Sequence, residues 1–277
     1  MCITMAFEVH PSFEKSLLVN SHIVKLVESA DLLHRATATA AFHNSKECFN
    51  PPKCHPNTHL AVLTKIMKWI KWEEDLHAFI MWVYGAAGAG KSAIAQTIAK
   101  MCEREMILLA SFFFLKNDPS CNNVDSLIAT LAYQITLNLP HIRDAILAAI
   151  NHDPLIFSKS LAVQVESLIV APLLVLAEAG FFNDPSSRRL VIIDGLDECS
   201  DCKVQQNILE VLANVHQHQL PLVFLFTSRP EQHISLTFNT GLLFSVTSRL
   251  AVDDSYLSDK DIELFLTDKF QDIKATH

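Results

Sequence analysis

Gly85-Ala86-Ala87-Gly88-Ala89-Gly90-Lys91-Ser92 is the stretch of this sequence whose residue types and spacing could do chemistry. It reads G-x-x-x-x-G-K-S. Successive backbone N–H groups can wrap an anion only where side chains do not intrude and φ can turn positive, which is the use of Gly85, Gly88 and Gly90 beside the small Ala89. Lys91 would reach the β- and γ-phosphates of a nucleoside triphosphate, and the Ser92 hydroxyl would bind Mg²⁺. The chain has six glycines, and three of them fall in this stretch. A sequence so poor in glycine has no bland reason to concentrate them there.

A second constellation lies about a hundred residues on. Leu190-Val191-Ile192-Ile193 ends in Asp194, followed by Gly195-Leu196-Asp197-Glu198. Four apolar residues delivering a carboxylate is the Walker B pattern, which sets an acid beside bound phosphates. Asp194 would hold Mg²⁺, directly or through water. Asp197 or Glu198 could orient and deprotonate an attacking water. A third element, Leu222 to Phe226, ends in Thr227-Ser228-Arg229. The planar fork of Arg229 suits a γ-phosphate; it would equally suit one of the acids at 194–198, and the two pairings are compatible in different states.

These groups need rigid elements to hold them. The apolar residues before Gly85 predict a buried strand, and the pattern after Ser92 predicts a helix over about 92–104. Met106 to Leu115 predicts a second strand, and a last strand is expected around 242–246. Between the second and third strands lies a helical insert of about 122–180, periodic over 124–138, after Pro140 and over 161–179. Residues 203–218 read as a helix. Before the first strand, Leu60, Leu63, Ile66, Met67 and Ile70 share a helical face, capped by Asn57 or Thr58. The leader carries Phe13, Leu17, Leu18, Ile23, Leu26, Val27, Leu32 and Leu33 at amphipathic spacing. Ser258 can cap a closing helix bearing Leu264, Phe265 and Phe270. The division this predicts is a helical leader and linker over 1–54 and a nucleotide-binding α/β domain over 55–277.

Bulk properties narrow the function. Half of the 277 residues are hydrophobic and 19% are charged, enough for a sizeable core. Net charge is −8 and no basic tract stands out, so nucleic acid is not an expected partner. The most lipid-like segment, Ser167 to Ala177, is uncharged over eleven residues and contains Pro172, too short to span a bilayer. Seven cysteines form no even framework and no signal peptide is evident, which suits reduced thiols in the cytoplasm. Cys48, Cys54, His55 and His59 lack a paired ligand half. Cys199 and Cys202 lack a second cysteine pair, so neither group reads as a zinc site.

The triplet GAAGAGKS, LVIIDGLDEC and FLFTSRPE resembles the NACHT class of signal-transduction NTPases. It is most similar to the nephrocystin-like NACHT proteins of filamentous and mushroom-forming fungi. PPKCHPNT at 51–58, ASFFF at 110–114 and DIELFLTDKF at 261–270 look similar too, so the resemblance covers roughly 45–272. It implies a three-layer P-loop NTPase fold with a parallel sheet in the order 5-1-4-3-2 and a short helical leader. It also implies ATP (or GTP) with Mg²⁺, slow hydrolysis at most, and protein partners through self-association or full-length relatives. Members usually continue into a winged-helix region and superhelical repeats, whereas this sequence ends at His277 without one. The expectation is a site lacking its C-terminal lid, with micromolar affinity or weaker (about −8 kcal/mol). The alternative is a catalytically silent module that docks on full-length relatives. A P-loop small-molecule kinase is disfavoured by the tandem acids and the Thr-Ser-Arg strand.

Overall fold

The structure is a computed structural model that describes residues 11–46, 54, 58–184, 188–252 and 274. In chain order the elements are α1 (Pro11–Ala36), α2 (Leu60–Ile70), β1 (Ile80–Tyr84), α3 (Lys91–Arg104) and β2 (Leu108–Phe113). Then come α4 (Leu127–Asn138), α5 (Arg143–His152), α6 (Leu161–Val165), a π turn (Glu166–Val170) and α7 (Ala171–Glu178). The chain continues through β3 (Arg189–Asp194), α8 (Cys202–Asn214), β4 (Leu222–Ser228), α9 (Gln232–Phe238), α10 (Gly241–Val246) and β5 (Thr247–Ala251). Val163, Glu166 and Pro172 lie in one helical run. Pro172 has no N–H to give the carbonyl four residues back, and the π turn just before it absorbs that missing bond.

All five strands are parallel, in the order β2-β3-β4-β1-β5. Read from the other edge this is the expected 5-1-4-3-2. Alternate residues of each central strand leave on opposite faces, as the strand period of two requires. Ile80 and Trp82 of β1, Val191 and Ile193 of β3, and Phe224 and Phe226 of β4 join one core, packed against α1, α4 to α8 and α9. Met81 and Val83, Leu190 and Ile192, and Val223 and Leu225 join the other, packed against α2 and α3. The result is three layers. Because the central strands are covered on both faces they read as unbroken apolar runs. Asp201 accepts from the N–H groups of Lys203 (2.7 Å) and Val204 (3.3 Å), capping α8 at the right distance from β3.

Several expectations shift. The apolar run at 242–246 is the short helix α10, with Leu242 and Phe244 exposed, and the last strand follows it at 247–251. The leader forms one helix, and its buried face near the end is carried by Ser29 and Leu33, backed by Leu26 and Ala30; Val27 points outward. On α2 Leu60 is likewise exposed, and Val62 and Trp69 are buried instead. The N-cap of α2 is His59, in the left-handed region at φ 56° with no side-chain cap bond, so Thr58 does not serve; Asn57 lies outside the described residues. The closing helix with Leu264, Phe265 and Phe270 also lies outside them. The uncharged eleven residues sit within a longer helical window, Leu161–Glu178, which with Glu166 and Glu178 counted in is long and apolar enough by composition to cross a membrane, against the expectation that this segment is too short. Half of that window is buried inside the protein, with Leu168, Ile169, Val170 and Leu173 in the core.

A buried polar cluster ties the segment after α1 to the sheet. The His43 N–H donates to Ser111 Oγ (3.3 Å), the His43 Nδ1 lies 3.1 Å from the same oxygen, and Nε2 lies 3.2 Å from Glu103 Oε1. Gln96 donates to the His43 carbonyl, and Gln134 brackets the Ser111 backbone. Ser111, His43 and Glu103 lie in the order of a nucleophile triad, but Nε2 is close to Glu103 without the alignment of a hydrogen bond. Ser111 is fully buried and shares its oxygen with Gln134, so the cluster is structural. Burial lowers the His43 pKa, against the opposing pull of Glu103. The unfolded chain then takes up a proton near pH 6.5 that the folded chain resists, so stability is lost as pH falls below that value. Parent protein should therefore show a lower urea midpoint at pH 5.5 than at 7.5. The His43→Gln variant should flatten that difference; an unchanged slope would remove His43 as its source.

Candidate functional site

The carboxyl ends of β3, β4 and β1 lie side by side, because β4 pairs with both of the others. From β1 the chain runs to β2 at one edge of the sheet, and from β4 it crosses to β5 at the other. This is the switch point at which open α/β sheets leave a crevice. Residues 85–90 form the loop from β1 into α3, as expected. Gly88 and Gly90 hold φ of 80° and 82°, where a side chain would be strained. Gly85 is small for another reason. A Cβ there would lie 2.5 Å from the carbonyl oxygen of Val252, whose N–H bonds to Tyr84 as β5 runs past.

Gly90 is the N-cap of α3 and offers no side chain to its first turn. The N–H groups at the start of this helix therefore face the loop without a capping oxygen, with the positive end of the helix dipole behind them. Lys91 Nζ donates to the carbonyls of Gly85 (2.9 Å) and Ala86 (2.8 Å), a self-closed arrangement. Its pKa is lowered, first by burial; Asp197 and Asp194 pull it up, Arg229 pushes it down and Glu198 pulls it up again. The same interactions put the four sequence-predicted groups within electrostatic reach of Lys91.

Asp194 is 3% exposed at the end of β3. Thr227 Oγ1 donates to its Oδ1 (2.5 Å) and accepts from the Gly195 N–H (3.0 Å), and Ser92 stands on the same side of the site. Burial pushes its pKa up to about 6, against the pull of Thr227 and Ser92. A buried carboxylate beside a hydroxyl, short of positive charge, is chemically suited to a hard cation. Among the described residues no group of three or more His, Cys, Asp or Glu side chains could hold a metal ion. A cation at Ser92 and Asp194 would thus need further oxygens from phosphate and water, as Mg²⁺ commonly does.

Gly195 turns the chain at φ 69° into a short 3-10 turn that carries both remaining acids. Asp197, nearly buried, accepts from the Arg229 N–H (2.9 Å) and from Arg229 Nε (2.5 Å). Arg229 also lies 3.8 Å from Glu231, and its outer edge is open to solvent at 42% exposure. Glu198 Oε2 accepts from the Lys116 N–H (2.9 Å), which anchors the loop after β2. Of the two pairings open to Arg229, the one with an acid is present here. Three residues escaped sequence reasoning. Thr227 braces Asp194, Ser228 accepts from Trp82 Nε1 (2.9 Å), and His59 sets its ring against Gly90, where a Cβ would be 3.1 Å from Nε2. The polar pair closing β4 was the signal for the first two.

Residues 61–229 match the family model described as nephrocystin 3, N-terminal. The chain belongs to the nephrocystin-3 N-terminal family. The match takes in the loop at 85–92, the acids at 194–198 and Arg229, and stops short of β5. No curated protein sequence matches this chain. Among solved structures it is similar to a chain in Drosophila ORC bound to poly(dA/dT) DNA and Cdc6. That match has a TM-score of 0.47 and 9% identity, covering 94% of this chain and 37% of that one. A Walker-type ATPase of Pyrococcus abyssi matches at TM-score 0.49 and 14% identity, covering 81% of this chain and 62% of that one. This chain thus spans less than two thirds of either neighbour.

Proposed function

We propose that the chain is the ATP-binding NACHT domain of a signal-transduction switch, with residues 55–277 as the nucleotide-binding unit and 1–54 as its leader. One observation carries the reading: Lys91, at the uncapped start of α3, lies within electrostatic reach of Asp194, Asp197, Glu198 and Arg229. Family membership and the specific motif triplet support it.

In this reading Lys91 exchanges the carbonyls of Gly85 and Ala86 for the β- and γ-phosphoryl oxygens, and the amides of Gly88, Ala89 and Gly90 wrap the same group. Ser92 and Asp194 hold Mg²⁺, which when bound neutralises charge on those oxygens. Glu198 orients the attacking water and takes its proton, since both Asp197 oxygens are committed to Arg229. Asp197 sets the direction of Arg229, whose open edge meets the charge that builds on the γ-phosphoryl oxygens. Slow hydrolysis suits a switch, and its protein partners would be further copies or full-length relatives.

A fluorescent ATP analogue titrated into the purified chain tests this. Binding should saturate with Mg²⁺ and weaken at least about tenfold in EDTA, the equivalent of losing about 1.4 kcal/mol. No saturable binding of either ATP or GTP would end the reading. The silent docking module remains the second reading, because Lys91 Nζ and Arg229 Nε are both held by groups of this chain itself. Nucleotide binding without turnover, even with a full-length relative added, would favour it.

A further inference from the structure

At the opposite end of the sheet from the phosphate loop, a cavity of about 750 Å³ opens beneath the amino ends of β1, β3 and β4. That is within the size range of small-molecule sites, roughly 300–1,000 Å³. Its walls are mainly apolar: Trp72 and Leu76 after α2, Phe79 before β1, Phe182 after α7, and Leu220 and Pro221 before β4. Trp72 and Leu76 are 50% and 64% exposed at its edge, so the mouth is open and greasy.

The wall also holds Arg188, which is only 7% exposed. Its guanidinium lies 4.7 Å from the Trp72 ring centre and 5.6 Å from that of Trp69. Nη1 donates to the carbonyls of Trp69 (2.6 Å) and Ile70 (3.4 Å), and Nη2 to that of Ala78 (3.2 Å). Those bonds cap the carboxyl end of α2 and account for three of five N–H groups. Nε–H and one N–H on Nη2 have no acceptor among the described residues, and no carboxylate there pairs with Arg188. Burial without an opposing acid lowers its pKa to about 9, which still leaves it charged at neutral pH. His77 and His216 stand on the same wall with the amides of Asn183, Gln217 and Gln219, and the one acid there is the exposed Asp184.

A cation that is buried, held by carbonyls and aromatic faces, and without a paired anion among the described residues is an unusual feature in a cavity with apolar walls. A helix cap alone needs no cavity and no spare donors. We infer that this cavity is a binding site for a small organic anion, an acidic group on a flat apolar body, with the acid on Arg188 and the body between Trp72, Phe79 and Phe182. The site is separate from the phosphate loop and does not depend on nucleotide chemistry.

The test uses 8-anilinonaphthalene-1-sulfonate as probe, with energy transfer from tryptophan as the signal and calorimetry for stoichiometry. One probe should bind per chain. The uncharged N-phenyl-1-naphthylamine should bind at least about tenfold more weakly, the loss expected for a missing charge-assisted contact of about 1.4 kcal/mol. Ala177→Trp, which fills the cavity from the α7 side and leaves Arg188 intact, should abolish binding. Asp184→Asn should tighten it several-fold by removing the rim carboxylate, and Lys91→Ala should leave it unchanged. Equal binding of the charged and uncharged probes, or parent-like binding by a folded Ala177→Trp protein, would overturn the proposal. If Ala177→Trp does not fold, the probe pair and Asp184→Asn decide.

Discussion

Lys91→Ala should reduce triphosphate binding on the order of 10²–10³-fold, because truncating one side of a close charged pair costs about 2–5 kcal/mol. The variant should still fold. The two bonds that Lys91 makes here go to carbonyls of its own loop, and losing such bonds at a half-exposed position costs about 1 kcal/mol. The core beneath is built by Ile94, Ala95 and Ile98, which the substitution does not touch. Melting temperature and ligand titration should therefore separate, with the first nearly unchanged and the second lost. Asp194→Asn offers a contrast. It removes a buried carboxylate that the fold itself holds uneasily, so it should cost little stability, yet it should erase the dependence of binding on Mg²⁺. A Lys91→Ala protein that binds ATP like the parent would show that the loop at 85–92 is not a phosphate cradle.

What could be read from the sequence follows burial. β1, β3 and β4 are covered on both faces, and two-sided cover is what makes a strand a continuous apolar run. Hence Asp194 and Arg229 could be put at strand ends before any coordinates. β5 is different. As an edge strand beside β1 it reads Thr-Ser-Arg-Leu-Ala, and only Thr247 and Leu250 are buried. Its polar middle is held by neighbours remote from any local pattern: Ser248 donates to Asp75 (2.6 Å), and Arg249 lies over the Phe244 ring and bonds to Asn239 (3.1 Å). The more apolar residues before it attracted the strand assignment, while a short helix there leaves Leu242 and Phe244 outside. The outward turn of Val27 and Leu60 has the same cause, since an apolar residue at a helical spacing marks a face only if another element covers it. At the site, residue types were legible and pairings were not. Nothing in Thr227-Ser228-Arg229 says that the threonine braces Asp194 while the serine faces Trp82. Nor does any local pattern put the ring of His59, in a left-handed conformation, against Gly90.

The acids of the turn after β3 should divide into two kinds of effect. Glu198→Gln should leave nucleotide affinity within about twofold and slow γ-phosphate release by about 10²–10⁴, the usual contribution of a positioned acid or base. Its remaining bond, from the Lys116 N–H, can be accepted by a glutamine oxygen, so the loop after β2 keeps its anchor. Asp197 works at one remove. Its two oxygens take the N–H and Nε–H of Arg229, so Asp197→Asn should act by loosening that arginine. Single-turnover release of γ-phosphate from the four combinations of Asp197→Asn and Arg229→Ala can read this directly. If Asp197 acts through Arg229, the double variant should be no slower than Arg229→Ala alone, a strong departure from additivity. Glu198→Gln in the Arg229→Ala background should instead slow the reaction further, because the two groups serve different atoms. Additive losses for Asp197 and Arg229 would make Asp197 a second base. A release rate unchanged in both Glu198→Gln and Asp197→Asn would remove the tandem acids from the reaction altogether.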